Sequence, residues 1–179
     1  QRRNMERETI KKQEEYWLKT FSGEIPLLQL PCDYPRPLNQ DFEGRTVLFI
    51  LEKEIPAALK KTAKELDATL YMVLLAALGT LLSRLAGQSD IIIGAPVATR
   101  GHVELQNMAG MFVNTIPLRI YPAGPKPFRD FLQEVKQTTL AAFENREYPF
   151  DKLVEKISPR LHRDAGRNPV FDVVFNLLD

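Results

Sequence analysis

Apolar residues recur at helical spacing in five parts of the chain, which predicts five helices. The segments are residues 1–21, 56–66, 70–85, 127–143 and 149–157. The first segment is highly charged and carries one thin apolar stripe that includes Trp17 and Phe21, so we expect it to dock on the body by a single face. The third segment is apolar nearly all round, which is typical of a helix in the middle of a fold.

Four other segments are rich in β-branched or aromatic residues and predict strands. They are RTVLFILE at residues 45–52, IIIG at 91–94, MFVNTIPLRI at 111–120 and VFDVVFNL at 170–177. Because the predicted strands alternate with helices, the expected architecture is an α/β sandwich with a mixed β-sheet. Residues 95–109 have no clean period and predict a long functional or bridging loop.

Length and composition exclude several classes of function. The 179 residues suit one compact domain, and 24 basic against 23 acidic residues give a net charge of +1, which argues against a nucleic-acid partner. The longest apolar stretch, residues 70–82, is shorter than the roughly 20 residues that span a bilayer, so no membrane partner is expected. A single cysteine, Cys32, and the lack of a basic-then-apolar leader favour a cytoplasmic location.

Three short segments follow one another in a fixed order. They are GMFVNTIPLR at residues 110–119, NREYPFDKLVE at 145–155 and RDAGRNPVFDVVFN at 163–176. Together they closely resemble the last three signature motifs of the condensation domains of nonribosomal peptide synthetases. The linker LPCDYPRP at residues 30–37 and the segment IIIGAPVATR at 91–100 match the same family, so the resemblance covers essentially the whole chain.

The resemblance implies an architecture and a division of labour. Condensation domains consist of two similar lobes, related to chloramphenicol acetyltransferase, around a tunnel, and their catalytic His-His-x-x-x-Asp-Gly motif lies in the first lobe. That motif is absent from this sequence. Residues 1–179 are therefore expected to form the C-terminal lobe: a two-layer α/β sandwich with a mixed sheet flanked by helices. No residue of the chain is predicted to be catalytic, and the lobe alone is predicted to be inactive.

The same resemblance implies the partners of the chain. They are the N-terminal lobe of the same condensation domain, the upstream and downstream peptidyl carrier proteins, and a neighbouring adenylation domain. The substrates would arrive as aminoacyl or peptidyl thioesters on the phosphopantetheine arms of the carrier proteins. The chain itself is expected to bind no cofactor.

Asn114 and Arg100 are the first two candidate site residues. Strand alternation sends Asn114 to the same face as Phe112, where its amide could hydrogen-bond a pantetheine arm or a substrate carbonyl. Alternatively, that amide ties down a neighbouring loop. Arg100 resembles an arginine that faces the Asp of the absent catalytic motif, a pairing that suits a guanidinium. The other interpretation of Arg100 is a solvated surface residue.

Arg167 and Asn168 are the other two candidates. By the resemblance, Arg167 and Asn168 are expected to line or close the tunnel, although entry into the last strand alone would also explain both residues. In residues 145–155, Pro149, Phe150 and Asp151 suit the start of a short helix, so the structural interpretation is favoured there.

Two other kinds of site receive little support from the sequence. His102 and His162 are the only histidines, and neither has a companion Cys or His at ligand spacing, so no metal site is predicted. Cys32 follows a proline in a linker and has no activating base nearby in sequence. Two functional alternatives remain open. One is a noncatalytic carrier-docking or scaffold lobe, and the other is the lobe of a related epimerization, cyclization or acyltransferase domain.

Overall fold

The computed structural model describes residues 2–37, 43–99, 110, 112–162, 164 and 166–178, and of residues 2–7 it describes the backbone alone. In chain order, the elements within these ranges are α1 (Arg2–Thr20), α2 (Glu54–Glu65), α3 (Leu70–Ala86), β1 (Ile91–Ala98), β2 (Val113–Ile120), α4 (Phe128–Glu144), α5 (Phe150–Ile157), a 3₁₀ turn (Ser158–Arg160) and β3 (Val173–Val174). Among the described helices, none is long and apolar enough to cross a membrane by itself; α2 and α3 pass that test only as a pair, bent by 105°.

All five predicted helices are confirmed within two residues at each end. The helix termini follow local chemistry. The Thr69 hydroxyl accepts a hydrogen bond from the N–H of Met72 at 3.2 Å and so caps the start of α3. Gly87 ends the same helix at a φ of 66°, in the left-handed region that favours glycine. Pro127 and Pro149 directly precede α4 and α5, where the backbone donor that proline lacks would have no helical partner.

The main core lies where α3 and α4 meet the sheet. Leu75 of α3, Leu132 of α4 and Leu118 of β2 are fully buried there. Gly79 brings α3 close to the sheet, because a Cβ at that position would lie 2.3 Å from the tip of the Ile120 side chain. The prediction that α3 lies in the middle of the fold is wrong for one face of the helix, since Leu81 on that face is 53% exposed.

Helix α1 docks by one face, as its thin apolar stripe predicts. Trp17 and Phe21 are buried, and their rings stack with centroids 6.4 Å apart. The indole Nε1 of Trp17 donates to the carbonyl oxygen of Asn145 at 2.9 Å, which joins α1 to the end of α4. The stripe therefore supplies both apolar burial and one directional contact.

The predicted mixed sheet is confirmed, and it has the order β2-β1-β3 in the described residues. Strands β1 and β2 pair antiparallel over eight residues, from Ile91 opposite Ile120 to Ala98 opposite Val113. Strand β3 adds to the other side of β1 in parallel, with Ile93 opposite Val173. Strand β1 is longer than predicted, because residues 95–98, expected in the loop, continue the ladder.

Two prolines limit the growth of this sheet. The N–H of Phe175 donates to the carbonyl oxygen of Gly94 at 2.9 Å, so the backbone groups of Gly94 face β3. The N–H and C=O groups of successive residues in a strand point to opposite edges. Pro96, two residues after Gly94, therefore also faces β3, and as a proline it has no N–H to donate there. On the opposite edge, Pro117 of β2 faces outward by the same alternation. Each side of the β1–β2 pair therefore lacks a donor where another strand would continue.

Two predicted strands are corrected by the structure. Residues 45–52 form no strand, although their composition favours one, because no described strand pairs with them. Of the predicted strand at residues 170–177, only Val173–Val174 joins the sheet. Val170 and Phe171 instead pack in the core, and Pro96 prevents the ladder from continuing past Gly94.

A partly buried ion pair connects the end of α1 to the sheet, with the Arg119 side chain 9% and the Asp90 side chain 28% exposed. The Nε and Nη2 atoms of Arg119 donate to the two carboxylate oxygens of Asp90 at 3.0 and 2.6 Å. The same guanidinium donates to the backbone carbonyls of Thr20 at 3.1 Å and Glu24 at 2.6 Å, and it lies 5.8 Å from the centre of the Phe21 ring. These hydrogen bonds to Asp90 raise the pKa of Arg119, so the cation is the form that the fold stabilises.

We expect Arg119→Met to lower the free energy of unfolding by about 2 kcal/mol, because the partly exposed Asp90 and two carbonyls would lose their donor. Urea denaturation measures this change. The matched control is Lys61→Met, which removes an exposed ion pair with Glu65 at 3.8 Å and should change stability by less than about 0.5 kcal/mol. Equal losses in the two variants would contradict a special role for Arg119.

Candidate functional site

The Asn114 side chain joins β2 to the turn before α5. Its Nδ2 donates to the carbonyl oxygens of Arg146 and Tyr148, both at 2.8 Å. Its Oδ1 accepts from the N–H of Thr115 at 3.0 Å and from that of Phe150 at 3.2 Å. Two donors and two acceptor positions are the full capacity of an amide. The contacts are thus those of a residue that ties down a neighbouring loop, and direct contact of Asn114 with a substrate stays a prediction.

The three motif segments meet around this amide. Asn114 belongs to the first segment and bonds the backbone of the second, whose Phe150 packs on Phe171 of the third with ring centroids 5.4 Å apart. The Phe171 ring also covers Gly94 of β1 so closely that a Cβ there would lie 2.6 Å from the ring. Tyr148, in the second segment, is buried, and this burial raises the pKa of its hydroxyl. Segments far apart in sequence therefore form one cluster. We call it the motif cluster, and its members are Gly94, Asn114, Tyr148, Phe150 and Phe171.

Arg167 is engaged by an aspartate within its own segment. Its Nε donates to Oδ1 of Asp172 at 2.9 Å, and its Nη2 donates to Oδ2 of Asp172 and to the carbonyl oxygen of Leu28. Arg36 approaches the same carboxylate at 3.7 Å. Hydrogen bonding to Asp172 raises the pKa of Arg167. The guanidinium thus joins the backbone at Leu28 to Asp172 at the entry of the last strand, and its predicted role in a tunnel stays untested.

Asn168 forms the bend that precedes β3. Its Oδ1 accepts from the N–H of Val170 at 3.0 Å and of Phe171 at 3.2 Å, the geometry by which asparagine side chains stabilise turns. Asn168 borders a narrow crevice of about 10 Å³, which is about the space that one water requires. The bend places Phe171 in the motif cluster, where its ring packs on Phe150.

The remaining candidates are placed as follows. Arg100 and His102 lie outside the described residues. His162 and Cys32 are both exposed, and the Cys32 thiol lies 3.5 Å from the carbonyl oxygen of Leu30. The structure thus brings Asn114 and the backbone around Asn168 to the motif cluster.

Tyr71 is a buried polar group that sequence reasoning missed. Its ring stacks on Phe175 with centroids 5.1 Å apart, and its hydroxyl is enclosed without a hydrogen-bond partner among the described residues. Burial raises the pKa of Tyr71 to about 12. A tyrosine in the first turn of an apolar helix looks like an ordinary packing residue, so the sequence held no signal for this arrangement.

Comparison with known proteins decides the family. The family model described as "Condensation domain" matches residues 1–178. This chain belongs to the condensation-domain family. Tyrocidine synthase 3 of Brevibacillus parabrevis is 54% identical over 95% of the chain, and surfactin synthase subunit 1 of Bacillus subtilis is 49% identical over 99%. This chain covers only 3% of the length of tyrocidine synthase 3 and 5% of the length of surfactin synthase subunit 1.

Solved structures agree with the family and confirm the chloramphenicol acetyltransferase-like fold. A four-domain nonribosomal peptide synthetase bound to AMP and glycine superposes with a TM-score of 0.86 at 28% identity, over 90% of this chain and 12% of that one. The X-domain from teicoplanin biosynthesis superposes with a TM-score of 0.84 at 25% identity, over 92% of this chain and 36% of that one. This chain thus corresponds to about a third of the X-domain chain.

We expect Asn114→Asp to lower the free energy of unfolding by about 2–3 kcal/mol, because a carboxylate oxygen would replace the donor that faces two carbonyl oxygens. Urea denaturation measures the change. Asn176→Asp makes the same chemical change at an exposed position and should shift stability by less than about 0.5 kcal/mol. If the two variants are equally stable, the Asn114 amide does not hold the motif cluster together.

We expect Tyr71→Phe to leave stability at pH 7 unchanged or raised, because the hydroxyl that it removes has no partner. The pKa of about 12 lies above the ordinary value of 10.0, so the unfolded chain releases this proton first. Stability linked to Tyr71 is therefore complete below about pH 10 and falls as the pH rises towards 12. Urea midpoints measured from pH 8 to 11.5 should fall less steeply in Tyr71→Phe than in the parent, and identical slopes would contradict the raised pKa.

Proposed function

We propose that this chain is the C-terminal lobe of a condensation domain which forms peptide bonds in nonribosomal peptide synthesis. The observation that carries the proposal is the motif cluster, in which three segments with the family's motif order meet at Asn114, Phe150 and Phe171. The names of the relatives, tyrocidine synthase 3 and surfactin synthase subunit 1, support it. The match of the whole chain to the condensation-domain model supports it as well.

The proposed reaction joins two substrates held on carrier proteins. The amine of a downstream aminoacyl thioester attacks the carbonyl of an upstream aminoacyl or peptidyl thioester. A C–N bond forms and the C–S bond breaks. The phosphopantetheine sulfur of the upstream carrier leaves as a thiolate and takes up, directly or through a base, the proton that the amine loses, so the products are an amide and a free thiol. When both thioesters are held in one tunnel, the reaction no longer needs a bimolecular encounter, and this proximity greatly accelerates it.

This lobe supplies a wall of the tunnel and no catalytic group. The two histidines of the chain, His102 and His162, are not adjacent, so the His-His motif is to come from the N-terminal lobe. Asn114, Arg167 and Asn168 act as positioning residues, because their described contacts fix the backbone that shapes the wall. Arg100 pairs with the aspartate of the N-terminal lobe's motif. The carrier proteins and a neighbouring adenylation domain are the further partners.

A second candidate function is a noncatalytic docking lobe. The observation that favours it is the likeness to the X-domain from teicoplanin biosynthesis, which has been solved in a complex with OxyB. That structure superposes with a TM-score of 0.84 at 25% identity over 93% of this chain. A docking lobe would bind a carrier or another protein without any turnover.

Peptide-bond formation with both loaded carrier proteins separates the two functions. Three proteins are compared: this chain alone, the chain extended upstream through the His-His-x-x-x-Asp-Gly motif, and that extension with the second His of the motif replaced by Ala. We expect product from the extended protein only, and a fall of about 100-fold or more on replacement of the His. Binding of carrier proteins without product from any of the three would contradict the enzymatic proposal and favour the docking lobe.

A further inference from the structure

The carboxylate of Asp172 lies between two guanidinium groups, directly before β3. Its Oδ1 accepts from Nε of Arg167 at 2.9 Å, its Oδ2 accepts from Nη2 of the same group, and Nη1 of Arg36 lies 3.7 Å from Oδ1. The side chains of Arg167 and Asp172 are each only 8% exposed. A charge held at this depth is costly without its partner, so Arg167 depends on Asp172. Asp172 belongs to the third motif segment but is not among the four candidates predicted from the sequence.

The pair of Arg167 and Asp172 closes a loop over residues 167–172, which we call the closed loop. Inside it, Oδ1 of Asn168 accepts from the N–H groups of Val170 and Phe171 at 3.0 and 3.2 Å. The loop therefore has an internal bend and an ion pair that joins its two ends. Because Phe171 lies between the bend and the ion pair, the closed loop determines where its ring sits.

The chain that follows α1 is held against the closed loop by the same ion pair. The carbonyl oxygen of Leu28 accepts from Nη2 of Arg167, and Arg36 approaches the carboxylate of Asp172. The Arg36 side chain is 40% exposed, so it adds a second and weaker cation to the pair. Asp172 thus connects the linker to the entry of the last strand.

Two contacts lead from the closed loop to the rest of the molecule. The Phe171 ring packs on Phe150, whose N–H donates to Oδ1 of Asn114 at 3.2 Å. After the closed loop the chain enters β3, and the N–H of Phe175 donates to the carbonyl oxygen of Gly94 at 2.9 Å. A displacement of the closed loop would therefore reach both the motif cluster and the sheet.

We propose that Asp172 is a positioning residue of the condensation reaction, which holds the closed loop through Arg167 and Arg36 and the motif cluster through Phe171. The inference rests on the proposed function, because the wall that Asp172 would fix is the wall of the tunnel. In this role Asp172 touches no reacting atom. Its loss displaces the wall and leaves the chemical groups of the reaction in place.

Hydrogen exchange in this chain tests the hold on the motif cluster. The reporters are the N–H groups of Phe150 and Phe175, compared in the parent, Asp172→Asn and Arg119→Met. The control variant removes another bidentate Arg–Asp pair, whose described contacts lie on α1, the turn after it and Asp90. After correction for the change in global stability, measured by urea denaturation, we expect about tenfold faster exchange of both reporters in Asp172→Asn alone.

The kinetics of peptide-bond formation test the role in the reaction. The chain extended upstream through the His-His-x-x-x-Asp-Gly motif is assayed with both loaded carrier proteins, at a temperature at which every variant is folded. Asp172→Asn should lower kcat about tenfold and change KM for the downstream carrier by less than about twofold, because a displaced wall misaligns bound thioesters. Arg119→Met should keep kcat within about twofold of the parent.

A double variant separates positioning from stability. Arg167→Met combined with Asp172→Leu replaces both charges by apolar side chains, which often restores the stability that loss of one partner removes. It restores neither the hydrogen bond to Leu28 nor the pairing with Arg36. We therefore expect the urea midpoint to return towards that of the parent while kcat stays about tenfold low. Recovery of kcat together with stability would overturn the inference and make Asp172 a structural residue only.

Other outcomes would also overturn the inference. One is an equal loss of kcat in Asp172→Asn and Arg119→Met, and another is parental exchange at Phe150 and Phe175 in Asp172→Asn. Product from the parent with unchanged kcat in Asp172→Asn would overturn this inference and leave the proposed function intact. Absence of product from the extended parent would count against the proposed function, and exchange alone would then decide whether Asp172 holds the motif cluster.

Discussion

The rest of the structure depends on a single constraint, the saturation of the Asn114 amide by four backbone groups. Two carbonyls and one N–H of the turn at residues 146–150 are hydrogen-bonded to β2 through this side chain. The fourth bond closes the N–H of Thr115, which would otherwise be an open donor on the sheet edge. One amide thus fixes the start of α5 against β2 and, together with Pro117, closes the outer edge of β2. Phe150 then meets Phe171, so the position of the last segment follows from the same contact.

The three-stranded sheet is small because its edges are closed by chemistry, not because the sequence lacks strand formers. Pro96 and Pro117 remove donors on opposite sides of the β1–β2 pair. The residues with the strongest strand composition, 47–51, accordingly remain in water while a two-residue strand occupies the free side of β1. Their exposure supports the proposal that this chain is one part of a larger domain, because burying them would stabilise the fold.

The sequence predicts the local features well and the long-range ones less well. Helix periodicity, the Thr69 cap and the prolines before α4 and α5 act within one or two turns, and the helices are confirmed. A strand needs a partner, so the composition of residues 45–52 and 170–177 could not reveal that a partner was missing or blocked. The same reason explains the ion pair of Arg119: an arginine in IPLRI and an aspartate before IIIG were visible, but only the antiparallel register places Arg119 near Asp90. For the candidate site, the sequence predicted three motif segments, and the folded chain brings them together and shows the partners of Asn114, Arg167 and Asn168.

These partners also bear on how such a lobe would contribute to a reaction. Each of the three described candidates makes hydrogen bonds to protein groups, and Arg167 and Asn114 would have to give up several of them to contact a substrate. Catalysis by proximity is sensitive to a misplacement of about 1 Å, so a surface held by the saturated Asn114 amide and the paired Arg167 guanidinium would contribute without touching the reacting atoms. Under the proposed function, the motif residues of this chain therefore fix geometry, and the chemical step belongs to groups outside the chain.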